Sequence, residues 1–245
     1  MTNNSKKIIF TLTLLLSTSV GLQAKWYDYT PVSWLMGKSK QQLGQELLEA
    51  IRNQEYREEI LELLENDPDV NVQDDRGITS LMLSVSQNDI LLTQALLEKG
   101  ADPNMHEMIS GLNALIISTE NGNIKMAELL IEYGAEIEQP MALGFTTLTY
   151  AVLQDQLKLA KFLLQQGANP NTQGWIHGLT PLMLAISKEN TEMVKLLLSY
   201  NADLNIQDFS ENEQTAVDYA KEKENLEIIA LLTGESSCDF EDNQE

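Results

Sequence analysis

From residue 44 onward the apolar positions fall into short stretches of helical spacing, and the stretches come in pairs that return along the chain. Segments such as Met126-Ala127-Glu128-Leu129-Leu130-Ile131 and Met193-Val194-Lys195-Leu196-Leu197-Leu198 have one wide apolar face each. Five copies are keyed by Thr79, Asn113, Thr146, Thr180 and Thr215, at intervals of 34, 33, 34 and 35 residues. Self-similarity at this period predicts a solenoid, in which each unit buries its apolar face only by stacking on its neighbours. On the second stretch of the central units the register assigns Leu129 to the core, and it assigns Glu98 of the unit before to a solvated face.

The polar punctuation says where each helix begins and ends. Four copies open with Gly77-Ile78-Thr79, Gly111-Leu112-Asn113, Gly144-Phe145-Thr146 and Gly178-Leu179-Thr180. A Thr or Asn at the key position can cap the first free amides of a helix, and Pro181 stands at the first helical position, where no donor is lost. The second helices run into Gly100, Gly134, Gly167 and Asn201, residues suited to a left-handed C-terminal cap. Each unit therefore reads as helix, turn, helix and loop. These motifs and their spacing resemble the ankyrin-repeat family over residues 44–233. The resemblance implies an all-α solenoid of stacked helix-turn-helix units with projecting loops. It departs from the family pattern where that has His after Thr-Pro-Leu: Met82, Ile116, Thr149, Met183 and Asp218 stand there.

Four segments follow. Residues 1–24 carry Lys6 and Lys7, an apolar run from about Ile8 to Val20, and Ala24, which reads as a secretory signal peptide cleaved after Ala24. The competing reading is an uncleaved anchor, although the run is about 13 residues long against roughly 20 needed to span a bilayer. Residues 25–43 hold Trp26, Tyr27, Tyr29 and Trp34 and read either as a cap over the first repeat or as a partner-binding arm. Residues 44–233 form the repeat domain, its first unit degenerate and its last more polar. Residues 234–245 read as an acidic disordered tail. The lone Cys238 in that tail leaves no intrachain disulfide.

Charge narrows the function. The chain has 16 basic and 37 acidic residues, a net charge of −21, which becomes −23 once Lys6 and Lys7 leave with the leader. That balance excludes the basic surface nucleic acid requires and disfavours an anionic membrane surface, while it attracts a basic protein. No nucleophile, base or metal set converges. His106 and His177 lie two repeats apart, roughly 20 Å at about 10 Å per stacked unit, too far to share one ion. The carboxylates lack calcium-loop spacing, and no glycine-rich phosphate loop occurs. No catalytic residue, cofactor or metal is expected.

What the family resemblance implies is recognition by first helices and projecting loops. Carried over by position, this gives an apolar stripe of Ile78, Leu112, Phe145 and Leu179, helix positions that include Glu120 and Leu153, and loop tips at Asp75, Arg76, Ile109, Leu143, Trp175, Ile176 and His177. The expected protein is a non-catalytic binder in the periplasm or secreted, without stable membrane insertion after leader removal. Its expected partner is another protein with a basic surface, bound in an inhibitor or immunity role. The alternative is an accessory or protective factor for a periplasmic enzyme such as a catalase.

Overall fold

A computed structural model describes residues 37–234; the segment read as a signal peptide, most of the aromatic segment and the acidic tail lie outside them. The described residues form twelve helices and no strand: α1 (Lys40–Arg52), α2 (Arg57–Glu65), α3 (Ser80–Ser86), α4 (Ile90–Glu98), α5 (Ala114–Glu120), α6 (Ile124–Glu132), α7 (Thr147–Leu153), α8 (Leu157–Gln165), α9 (Pro181–Ser187), α10 (Thr191–Ser199), α11 (Ala216–Glu222) and α12 (Leu226–Thr233). Each first helix packs on the second helix of its own unit and on the first helices of the units beside it. The first helices approach closely because small residues line their contacts: Ser80, Ser84, Ala114, Ser118, Ala151, Ala185, Ala216 and Ala220 are all buried.

The caps work as the sequence implies at four of the five key positions. Thr79, Asn113, Thr146 and Thr180 accept from the amides of Met82, Ile116, Thr149 and Met183 through their side chains. At Thr215 the roles reverse: its amide and hydroxyl donate to Asp218 Oδ2 at 2.9 and 2.6 Å. At the places of the family's His in the first four copies, Met82, Ile116, Thr149 and Met183 are buried within the stack; the Thr149 hydroxyl shares a hydrogen bond with that of Thr146 at 3.2 Å, and Met183 Sδ accepts from the Thr180 amide at 3.5 Å. Beyond the second helices, Asn71, Asn104 and Asn171 join neighbouring units. Asn104, for example, donates to Gly134 O at 3.0 Å and accepts from the Glu136 amide at 2.8 Å.

Two sequence expectations need correction. The first helix starts at Lys40, ahead of the boundary placed at residue 44. Ser39 is its cap, in a reciprocal box with Gln42, and the preceding Gly37 has φ 92. Gly37-Lys38-Ser39 thus repeats the Gly77-Ile78-Thr79 opening. It escaped notice because α1 has 13 residues where the other first helices have 7, which stretches the spacing to the next key residue. Gly44 is inside this helix for a packing reason: a Cβ there would lie 2.2 Å from the Asp69 carbonyl oxygen. The second correction is on α6, where Met126, Ala127 and Leu130 are the buried residues and Leu129 is half-buried. The apolar run Leu129-Leu130-Ile131 left that register ambiguous by one residue.

Thr147 leads to a stability prediction. Its hydroxyl is buried without a hydrogen-bond partner, at the first position of α7, the place Pro181 occupies in α9. The amide there has no intrahelical acceptor, and Thr146, at φ −84 and ψ 173, already has the extended backbone a following proline requires. Thr147→Pro is expected to raise the unfolding free energy by about 0.5–1 kcal/mol, read from urea denaturation curves. A variant less stable than the parent would show that the pyrrolidine ring does not fit between α7 and its neighbours.

Candidate protein-binding face

The loops between units are short hairpin-like turns, each closed by a backbone pair. Examples are Glu107 N to Leu112 O at 2.9 Å, Met141 N to Phe145 O at 2.8 Å and Asp208 N to Gln214 O at 2.9 Å. Acidic side chains brace three of them from within. Asp74 accepts from the amides of Arg76 and Ile78 at 2.9 and 2.8 Å. Glu107 accepts from the Ser110 hydroxyl and amide and from the Ile109 amide. Asp208 accepts from Ser210, the Gln214 amide and the Tyr219 hydroxyl. These carboxylates hold loop shape with their acceptor capacity already used.

Their ionisation reflects that duty. The Ser110 hydroxyl bond, assisted by the amides of Ile109, Ser110 and Gly111, outweighs burial and brings Glu107 down to about 2 from its usual 4.5. Burial raises Asp208, but the bonds from Ser210, Tyr219 and the backbone outweigh it and leave the group lowered. Burial and the same Asp208 contact push Tyr219 up to about 12. A depressed carboxylate contributes stability above its unfolded pKa and loses it as pH falls towards the folded one. The Glu107 contribution is therefore complete above about pH 4.5 and is lost between there and about pH 2. Glu107→Gln is expected to be less stable than the parent at pH 6 and to lose less on going to pH 3, measured by chemical denaturation. Parallel losses would show that the loop does not rely on the ionised form.

Successive loops are bonded to each other in a ladder along the stack. The amides of Met108, Ala142, Trp175 and Phe209 donate to the carbonyls of Arg76, Ser110, Leu143 and His177 at 2.8–3.0 Å. Each of these carbonyls belongs to the residue before a left-handed glycine, and the next loop closes over that glycine. Trp175 lies over Gly144 and Phe209 over Gly178. The outer edge of the ladder is apolar: Met108, Ile109, Leu143, Trp175, Ile176 and Phe209 are exposed by 49–79%. Residues 139–149 and 168–179 carry no acidic or basic side chain apart from His177, so the middle of this edge is uncharged within an acidic protein. Contiguous exposed apolar surface of this kind marks an interaction site.

The structure divides the expected site residues into two groups. Asp75, Arg76, Leu143, Trp175 and His177 stand exposed at loop tips. Glu120 is exposed on α5, where it accepts from the Tyr150 hydroxyl at 3.3 Å. The expected stripe does not form an open patch. Ile78, Leu112 and Leu179 are half-buried and packed against the core, as is Leu153, while the half-buried Phe145 lies against Gly174. The reason is local geometry. Ile78, Leu112, Phe145 and Leu179 sit between a left-handed glycine and a helix cap, where the chain turns inward, and Leu153 ends α7. Met108 and Phe209 were missed, although the spacing of Met108, Ala142, Trp175 and Phe209, at 34, 33 and 34 residues, repeats the period of the key positions. Among the described residues no three His, Cys, Asp or Glu side chains group to hold a metal ion, and no helix is long and apolar enough to cross a membrane.

A row of helix pairs with a projecting, laterally bonded loop edge defines the class of repeat scaffolds that present a surface rather than enclose a substrate. The chain belongs to the ankyrin repeat family: the family profile described as ankyrin repeats (3 copies) matches residues 47–141, 81–174 and 148–244. Ankyrin repeats are protein-binding modules, and protein partners are what this membership supports. The chain is 29% identical over 115 residues, 45% of its length, to a Rickettsia bellii protein named for its ankyrin repeats. It is 32% identical over 145 residues, 56% of its length, to the mitochondrial disaggregase of Bos taurus. The matches span 33% and 20% of those two proteins, so the similarity concerns the repeats and not the whole of either relative.

Proposed function

We propose that this chain is an exported, non-catalytic binding protein whose loop edge docks a second protein with a basic surface, in an inhibitor or immunity role. The observation that carries the reading is the exposed apolar edge of Met108, Ile109, Leu143, Trp175, Ile176 and Phe209, uncharged in its middle, in a molecule of net charge −21. Aromatic anchors at such an edge supply short-range contact, and the acidic surroundings accelerate encounter with a basic partner. Export rests on Lys6, Lys7, the apolar run and Ala24.

The test starts from protein isolated from its host, whose intact mass should begin at Lys25, and captures partners from a periplasmic extract. Trp175→Ala combined with Phe209→Ala should weaken the captured partner by at least about 2 kcal/mol, mainly through faster dissociation in surface plasmon resonance. Rising salt should slow association instead. A folded double variant that binds like the parent would remove the loop edge from the reading. Capture of a peroxide-handling enzyme that keeps its activity when bound would favour the accessory role over inhibition.

A further inference from the structure

We infer that Asn121 is a modification site: it deamidates spontaneously, the fold gates that reaction, and the product uncouples the Thr79 unit from the Asn113 unit. The inference concerns the joint between two units and stands apart from the loop edge and the proposed function. The first observation is in the sequence. Asn121-Gly122 is the one place in the chain where glycine follows asparagine. In deamidation the backbone nitrogen of the following residue attacks the side-chain carbonyl carbon of Asn, and glycine, without a Cβ, leaves that nitrogen least hindered. Asn121 is exposed at the end of α5, so water, the other reactant, reaches it. A bond forms between Gly122 N and Asn121 Cγ, the Cγ–Nδ2 bond breaks, and the Gly122 proton passes through solvent to the departing nitrogen, which leaves as ammonia. Water then adds to one carbonyl of the resulting succinimide and opens the ring to aspartate or isoaspartate.

The second observation is what holds the reacting atoms apart. The Gly122 amide donates to Thr119 O at 3.0 Å, and Asn121 Nδ2 donates to Val85 O at 3.1 Å. Asn121 itself has φ −84 and ψ −9, which continues the helix. Bringing Gly122 N onto Asn121 Cγ requires both bonds to break and ψ to rotate, so the turn between α5 and α6 must open. The next unit presses on that turn: a Cβ at Gly122 would lie 2.9 Å from Gln156 Oε1. The reaction therefore proceeds through local opening and not in the closed stack.

The third observation is what the Asn121 amide does. Residues eight positions after a key residue reach back to the first helix of the unit before: Gln87 to Ile51 O at 2.8 Å, Asn121 to Val85 O, and Lys188 to Leu153 O. Each brings donor hydrogens to a helix C-terminus, where carbonyls run short of partners and the dipole is negative. Deamidation replaces the NH2 by a carboxylate oxygen, which cannot donate and repels the carbonyl. The product loses a bond between units and adds a negative charge at the helix end.

The test incubates the full chain in mildly alkaline buffer and follows the peptide that holds Asn121 by mass spectrometry. Product should form at least about tenfold more slowly in buffer than in denaturing urea, where the turn is open throughout. Equal rates overturn the gate, and product at other Asn residues but not at Asn121 overturns the site. Gln156→Ala, which removes the side chain over Gly122, should raise the rate in buffer at least about twofold and leave the rate in urea unchanged. For the consequence, Asn121→Asp stands for one product, while Asn121→Gln keeps a donor of the kind Gln87 supplies. The Asp variant should melt about 2–4 °C below the Gln variant. Equal melting temperatures overturn the uncoupling. The loop-edge double variant leaves all of these readouts untouched, so this inference and the proposed function fail separately.

Discussion

Leu130→Ala is expected to lower the unfolding free energy by about 2–5 kcal/mol. Leu130 is completely buried on α6, beside Met126 and Ala127, in the middle of the stack. Removing its branched end deletes apolar contacts and leaves a cavity that close-packed helices on both sides cannot fully collapse. A solenoid makes the effect larger than one unit's share, because each unit is held by its neighbours and a weakened central unit loosens both interfaces. Leu129→Ala, one residue earlier and half-buried, should cost clearly less, and Glu98→Ala, on an exposed position, no more than about 0.5 kcal/mol. Urea denaturation of the three variants checks the register directly. Equal costs at Leu129 and Leu130 would mean that α6 is rotated from the orientation described.

Gly144→Ala should cost about 2–4 kcal/mol, from two sources that a control can separate. At φ 78 the backbone is left-handed, which penalises any side chain. A Cβ would also lie 2.3 Å from the Trp175 ring and 2.7 Å from its backbone nitrogen. The ring can swing away, but the nitrogen is held by its 2.8 Å bond to Leu143 O, so the loop ladder itself must give. Gly134 has φ 91 with no atom within 4 Å of a Cβ, so Gly134→Ala isolates the backbone cost, about 1–2 kcal/mol. Thermal or chemical denaturation of the pair gives the steric part by difference. If the two variants are equally stable, Trp175 does not press on Gly144, and the apolar edge loses its central anchor. A changed Trp175 emission in Gly144→Ala alone would show that the ring has left its seat.

Much of this could be read from local rules. Thr79, Asn113, Thr146 and Thr180 do cap helices, and Gly100, Gly134, Gly167 and Asn201 do end them in the left-handed conformation. Capping needs only the few residues next to it, so its signature is local. The period between units was equally plain, because a repeat that packs on a copy of itself must present the same residue types at the same places. The first unit was misplaced where this rule relaxes. Ser39 makes a capping box, but the longer α1 breaks the spacing that revealed the other units.

The binding surface was legible only in part. Which loop residues recur was a matter of period, and Trp175 and Leu143 were found that way. Whether a recurring apolar residue faces solvent or the next unit depends on how one loop lies on another. Ile78, Leu112 and Leu179 are as apolar as Leu143, yet they are half-buried, because the turn after a left-handed glycine brings them back to the stack. Met108 and Phe209 stand outward, because their amides bond to the loop before and carry their side chains to its edge. The sequence by itself determined the repeat, its caps, its helix pairs and the acidic character that bears on partner choice, since each of these follows from local backbone preference, periodicity or composition. The tertiary structure alone decided where the solenoid begins and which apolar residues form its open edge. The edge depends on hydrogen bonds between loops more than thirty residues apart, which local preference does not encode, and the start was hidden because the longer α1 breaks the period.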